Sequence, residues 1–176
     1  MSSIKPVVLW MTGLSGAGKS TIAYTLEKKL QLEGYLCEVL DGDVLRNGVN
    51  AGLGFSESDR KENIRRTAEL AKILVLNNFV VICSLITPTN DLRVSAAKIL
   101  GDKFKLIYIS TPFATCKNRD VKGLYKKAEN GEIPHFTGVS APFDIPNNSD
   151  FELNAQNESE NESVEKLYVF LRDLNP

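Results

Sequence analysis

The residues best suited to chemistry lie in one run, Gly13-Leu14-Ser15-Gly16-Ala17-Gly18-Lys19-Ser20-Thr21. It completes the pattern G-x-x-x-x-G-K-S and follows the apolar residues 7–11. Glycines at 13, 16 and 18 allow a tight turn whose N–H groups converge on phosphate oxygens. The Lys19 ammonium reaches β- and γ-phosphates as a mobile point charge, and the Ser20 hydroxyl is a ligand for Mg²⁺. A helix starting near Lys19 adds its positive dipole end to the same anion site. A glycine-rich turn with an incidental lysine is the plainer alternative. The apolar strand before the loop and the helical continuation Thr21-Ile22-Ala23-Tyr24-Thr25-Leu26 supply the context that a nucleoside triphosphate site requires.

Further along, Asp41-Gly42-Asp43 closes an apolar run, with Arg46 one helical turn beyond Asp43. On its own D-G-D is an ordinary turn. At the carboxyl end of a strand facing a phosphate loop, its carboxylates are placed to hold metal-bound water or to orient a hydroxyl for in-line attack. Arg60 and Asn63 share a helix face at i and i+3, where an arginine suits two-pronged recognition of phosphate or sulfate. Phe55, just before the helix cap, reads as a hydrophobic staple from the residues alone, with stacking on a nucleobase as the other reading. The basic stretch Lys122-Gly123-Leu124-Tyr125-Lys126-Lys127-Ala128 and the loop Phe136-Thr137-Gly138 read as a lid over phosphates or as a solvated basic helix. His135, the single histidine, has no Ser or Cys partner and reads as a surface residue.

Elements that could position these groups follow from periodicity. Strands are expected at residues 7–12, 37–40, 80–86 and 106–109, with a weaker one at 151–153. The middle runs are apolar at nearly every position, as parallel strands covered on both faces require. Helices are expected at residues 19–32, 57–76, about 91–100, 112–118 and 164–171. Ser56 caps the second, and Ile64, Ala68, Ala71 and Val75 form its apolar stripe. Thr111-Pro112 reads as a cap followed by proline at the first helical position, and Gly34 and Gly101 as left-handed residues after helices. The alternation predicts an α/β three-layer sandwich with a mostly parallel central sheet, and ligands beyond the carboxyl ends of its strands.

The chain of 176 residues is long enough for one domain with a real core, and its net charge of −1 argues against nucleic acid or anionic membrane as partner. No apolar run is long enough to span a bilayer. The three cysteines, Cys37, Cys83 and Cys116, are scattered and read as buried hydrophobes in a reducing cytoplasm. Residues 1–5 lead directly into the first strand, which leaves no room for a secretory leader. The polar, acidic residues 154–163 read as a solvated loop before the last helix.

The pieces GLSGAGKST, DGD with Arg46 and Gly48-Val49-Asn50, LGFS, DRKENIRR, CKNRD, KGLYKKA and FTG, in this order, resemble the adenylylsulfate kinase (APS kinase) family over about residues 7–146. The resemblance implies a P-loop kinase fold in a single domain, residues 1–176, with a lid at about 119–145. It implies transfer of the γ-phosphate of ATP, with Mg²⁺, to the 3′-hydroxyl of adenylyl sulfate, giving 3′-phosphoadenylyl sulfate for sulfate assimilation and sulfonation. Gly13, Ser15, Gly16, Ala17, Gly18, Lys19, Ser20 and Thr21 then hold the ATP phosphates, and Arg119 lies near the adenine. Asp43 orients the hydroxyl and shares the metal with Ser20. Arg46, Arg60 and Asn63 grip the phosphosulfate and ribose, Phe55 and Phe136 sandwich the base, Ile86 and Thr87 line the acceptor, and Lys126 or Lys127 covers the phosphates. That reverses the staple reading of Phe55. Family precedent adds a homodimer.

Departures from the family pattern gather near the acceptor. Val44 and Asn47 interrupt D-G-D-N-[VI]-R-[HQ], Ile86-Thr87-Pro88-Thr89-Asn90 replaces I-S-P-[YH]-R, Val121 replaces a proline, and Val139-Ser140-Ala141-Pro142-Phe143-Asp144 replaces a pattern with Asp and Tyr. The same chemistry on another nucleoside 5′-phosphoanhydride, such as a cytidine diphosphate derivative, is therefore the alternative. A switch that cycles by hydrolysis needs a residue to place water and a base reader such as N-K-x-D, which is absent, and a catalytically dead module does not need Lys19, Ser20 and Asp43.

Overall fold

Strands as apolar as residues 8–11 and 80–83 must be covered on both faces, and the computed structural model, described over residues 4–174, places them at the centre of a five-stranded sheet. In order along the chain, β1 (Val8–Thr12), β2 (Cys37–Asp41), β3 (Val80–Ser84), β4 (Phe104–Ile109) and β5 (Phe151–Leu153) form one sheet ordered β2-β3-β1-β4-β5. All four pairings are parallel. Residues 1–3, the start of the lead into β1, lie outside the described residues.

The pleat of β1 divides the core in two. Leu9 and Met11 join the layer built from α1 (Lys19–Leu32) and α7 (Glu160–Asp173). Val8 and Trp10 join the opposite layer, with α3 (Glu57–Leu76) and α4 (Asn90–Leu100). In α3 the predicted stripe Ile64, Ala68, Ala71 and Val75 is buried there, and the Ser56 hydroxyl accepts from the Asp59 N–H as a cap. The three-layer sandwich is thus as expected, with a sheet that is parallel throughout.

Several boundaries differ for local reasons. β3 stops at Ser84, so Ile86 and Thr87 lie in irregular backbone beyond the strand. Asp41 accepts from the N–H groups of Asp43 and Val44 and thereby starts an unforeseen short helix, α2 (Gly42–Arg46). Pro112 rather than Thr111 is the N-cap of α5 (Phe113–Arg119), because the Thr111 hydroxyl donates instead to the Ala17 carbonyl at 2.8 Å. A further short helix, α6 (Leu124–Glu129), buries Tyr125 and Ala128, so the basic segment is anchored to the core and not merely solvated. α7 starts four residues earlier than expected, at a capping box made by Ser159 and Glu162.

Trp10 joins fold and site. Its fully buried indole donates to the Thr87 hydroxyl at 2.9 Å, and Thr12 donates to the carbonyls of Ile86 (2.7 Å) and Thr87 (3.2 Å). These bonds hold Thr87 at φ 41°, a conformation that a β-branched residue adopts only when its surroundings enforce it. Trp10→Phe leaves the Thr87 hydroxyl without its donor and opens space in the core. It is expected to lower unfolding stability by about 2 kcal/mol. Urea denaturation followed by circular dichroism checks this, since the substitution removes the single tryptophan; an unchanged midpoint contradicts it.

Candidate active site

Between β1 and α1 the loop is held in shape by side chains that reach its carbonyls from several neighbouring segments. Thr111 donates to the Ala17 carbonyl, the Tyr125 hydroxyl to that of Ser15 (2.9 Å), and Arg119 to those of Gly16 (3.5 Å) and Ala155 (2.8 Å). Gly13 packs so closely that a Cβ there would stand 2.7 Å from the Ile109 carbonyl oxygen. Gly18, at φ 106°, caps α1 with no side-chain bond, which leaves the first N–H groups of that helix for an anion. Lys19 is buried beneath the loop, and its Nζ donates to the carbonyls of Gly13 (2.9 Å) and Leu14 (2.8 Å). Burial lowers its pKa from 10.5 to about 8, with Cys116, Asp41 and Asp43 pulling the other way.

The Ser20 hydroxyl donates to Asp41 Oδ2 at 2.5 Å and lies 3.1 Å from the Ser84 hydroxyl. Asp41 is a candidate site residue that the sequence reading passed over. It stood in the D-G-D signal, but the role went to Asp43 alone. Ser20 and Asp41 present hard oxygen donors of the kind Mg²⁺ takes. Among the described residues no group of three or more His, Cys, Asp or Glu forms a cage. Such a donor set fits Mg²⁺, which relies mainly on phosphates and water for its other ligands.

A cleft of about 480 Å³ runs from this loop to the residues expected at the acceptor, and Asp43, Arg46, Phe55, Arg60, Asn63, Ile86, Thr87 and Phe136 all line it. Arg46 donates to the carbonyls of Leu53 and Gly54, both at 3.0 Å, with its guanidinium 4.4 Å from the Phe55 ring centroid. Arg60 donates to the carbonyls of Phe55 (3.1 Å) and His135 (2.7 Å), tying the two aromatic loops together. The Phe55 ring is 49% exposed, and the fourth helical position that a staple would fill with a hydrophobe holds Arg60. Phe136 is buried and meets Tyr125 edge-on at 5.1 Å. Asn63 accepts from Asn50 Nδ2 at 2.9 Å through its amide oxygen, so its own amide donors are left for the cleft. Burial lowers the pKa of both Arg46 and Arg60, and Arg46 lowers that of Arg60 further. Two crowded guanidiniums make a site that favours an anion.

Asp43 is exposed at the mouth of the cleft and forms an ion pair with Lys122. Lys126 and Lys127, expected over the phosphates, are exposed on α6 and do not line the cleft; Lys122 lines it in their place. The turn before α6 carries Lys122 inward, whereas Tyr125 and Ala128 use the inner face of the helix for anchoring. Arg119 does not line the cleft either and braces the phosphate loop from outside. His135 contributes its backbone carbonyl, and its side chain is exposed, in keeping with the surface reading.

Comparison with known proteins agrees with this geometry. The sequence model of the adenylylsulphate kinase family matches residues 5–154. The adenylyl-sulfate kinase of Bacteroides fragilis is 52% identical over 92% of this chain and 80% of its own length. That of Halothermothrix orenii is 44% identical over 98% of this chain and 93% of its own. The APS kinase of Mycobacterium tuberculosis, solved in complex with AMPPNP and APS, superposes with a TM-score of 0.92 at 41% identity, covering 96% of this chain and 99% of that one.

A titrating Lys19 makes triphosphate binding depend on pH. The bound polyphosphate favours the charged ammonium, so the complex holds a proton that the free protein loses above about pH 8. Affinity for an ATP analogue is expected to be flat below that pH and to fall by up to about tenfold per unit above it. Calorimetric titrations from neutral to alkaline pH in buffers of different ionisation heat check this through the proton uptake. A flat profile with no uptake contradicts it.

Proposed function

This chain belongs to the adenylylsulphate kinase family, and from that footing we propose that it transfers the γ-phosphate of ATP to the 3′-hydroxyl of adenylyl sulfate, giving 3′-phosphoadenylyl sulfate and ADP. The observation that carries the reading is a single cleft with a phosphate loop at one end and two arginines beside a stackable ring at the other. A hydrolase has no need of that second anion site. Relatives named adenylyl-sulfate kinase and a related enzyme holding both AMPPNP and APS support this acceptor. None of them supports a cytidine nucleotide.

In this reading the loop N–H groups, the amino end of α1 and the Lys19 ammonium exchange the loop's own carbonyls for the β- and γ-phosphates. Ser20 and Asp41 would hold Mg²⁺, which when bound would neutralise phosphate charge. Arg119, at the outer edge of the loop, flanks the adenine. Arg46, Arg60 and Asn63 take the phosphosulfate and ribose of the acceptor, and its base lies between Phe55 and Phe136. Asp43 leaves Lys122 and accepts the hydrogen bond of the 3′-hydroxyl. As the new bond from that oxygen to phosphorus forms and the bond to ADP breaks, the proton passes to the carboxylate. Lys122, now free, faces the transferring phosphoryl group from the lid. Positioning and charge neutralisation supply most of the acceleration, so Asp43 need not be a strong base. The buried free cysteines support a reducing cytoplasmic setting, and the homodimer rests on family precedent.

A coupled ADP-release assay with adenylyl sulfate against a panel of nucleoside 5′-phosphoanhydrides tests the substrate. A kcat/KM for adenylyl sulfate above every other acceptor is expected, and preference for a cytidine nucleotide overturns the assignment. Asp43→Asn is expected to lower kcat by about two orders of magnitude with ATP affinity nearly unchanged. Parallel loss of both removes the acceptor role from Asp43.

A further inference from the structure

Among the described residues the chemistry above leaves one buried cation unused. Arg93, in α4, is 3% exposed and does not line the cleft. Its Nε donates to the Thr87 carbonyl (3.1 Å), one terminal nitrogen to the carbonyls of Pro88 (3.3 Å) and Asp144 (2.6 Å), and the other to Asn90 Oδ1 (2.8 Å). Its face lies 5.1 Å from the Phe143 ring centroid. Two more bonds run between the same segments. The Asp144 N–H donates to the Pro88 carbonyl at 2.8 Å, and the Asn90 N–H donates to Asp144 Oδ2 at 3.0 Å.

A guanidinium alone among side chains offers enough fixed donors to hold three carbonyls and an amide oxygen at once. What it joins is the stretch after β3, which carries Thr87 and Pro88 into the cleft, and the stretch after Phe136. Thr87 stands at φ 41° and is held from the far side by Trp10 and Thr12. On the near side, the Phe136 N–H donates to the Ser140 hydroxyl at 2.9 Å. Four of the positions at which this chain departs from the family pattern, Asn90, Ser140, Phe143 and Asp144, bond or pack within this unit.

We propose that Arg93, through Asn90 and Asp144, is the positioning residue of the acceptor subsite. It locks Thr87 and Pro88 to the loop that bears Phe136, and the departures around it form a coupled set that keeps this wall in register instead of changing the acceptor. The proposal rests on the adenylyl sulfate reading given above.

The test compares Arg93→Met, Arg93→Lys and Asp144→Ala with the unaltered protein. KM for adenylyl sulfate, KM for ATP, kcat and melting temperature are measured, with calorimetric binding of adenylyl sulfate in the presence of AMPPNP. Arg93→Met is expected to raise the acceptor KM by about tenfold or more, with ATP KM and kcat within about twofold. Arg93→Lys recovers part of the loss. Asp144→Ala shifts the same constant less, and combining it with Arg93→Met adds little, because both act through one unit. An acceptor KM unchanged in folded variants overturns the proposal. So does a parallel rise in both KM values and fall in kcat, which marks a general structural role. If Arg93→Met does not fold, Asp144→Ala and Asn90→Ala decide by the same constants. An unaltered protein that neither binds nor phosphorylates adenylyl sulfate defeats the acceptor assignment itself, which separates that failure from this one.

Discussion

The site depends on a positive charge that the fold buries before any nucleotide arrives. An ammonium out of water is costly unless its donors are met. Lys19 is 8% exposed, and among the described residues its hydrogen bonds go to two carbonyls of its own loop, with Asp41 and Asp43 acting at longer range. The structure thus holds a charge whose best partners are supplied by the ligand. In the proposed reading triphosphate oxygens take the place of the carbonyls, and little reorganisation is needed because the loop is already braced by its neighbours.

Keeping the loop in that state takes bonds from three directions. Thr111 and Arg119 come from the β4 side, Tyr125 from α6, and Ser20 reaches across to Asp41 at the end of β2 and toward Ser84 at the end of β3. The strand order makes this possible: β1 lies between β3 and β4, so the loops leaving their carboxyl ends converge on one point. The acceptor half has no such sheet beneath it. It is assembled from irregular segments, and arginines bridge them where strands do not. Arg46 and Arg60 tie the Phe55 loop, Arg60 reaches the His135 carbonyl, and Arg93 fastens the segment beyond Phe136 to the end of β3.

This division explains what the sequence made legible. Period and composition yielded α1 and α3 to the residue, and the donor half was readable because each loop residue has a job few others can do. The short α5 was read within a residue at each end from its Thr-Pro start, but α2 was not, since it exists only because the Asp41 side chain caps it, and no periodicity shows in five residues. Lys122 was hidden among neighbouring lysines, for spacing cannot say which one a turn carries inward. Arg93 was missed for a related reason: three of its four partners are backbone carbonyls, and carbonyls leave no mark in a sequence. The family resemblance supplied the acceptor, which residue types by themselves left open between staple and stacking at Phe55.

The most direct measurement is a crystal structure with AMPPNP, Mg²⁺ and adenylyl sulfate bound together. The expected result places the acceptor base between Phe55 and Phe136, its 3′-oxygen about 3–3.5 Å from the γ-phosphorus and in line with the bond to be broken, within hydrogen-bond reach of an Asp43 released from Lys122. An adenylyl sulfate seated with its ribose turned away from the γ-phosphate, or bound outside the cleft, contradicts direct transfer between two nucleotides in this one site.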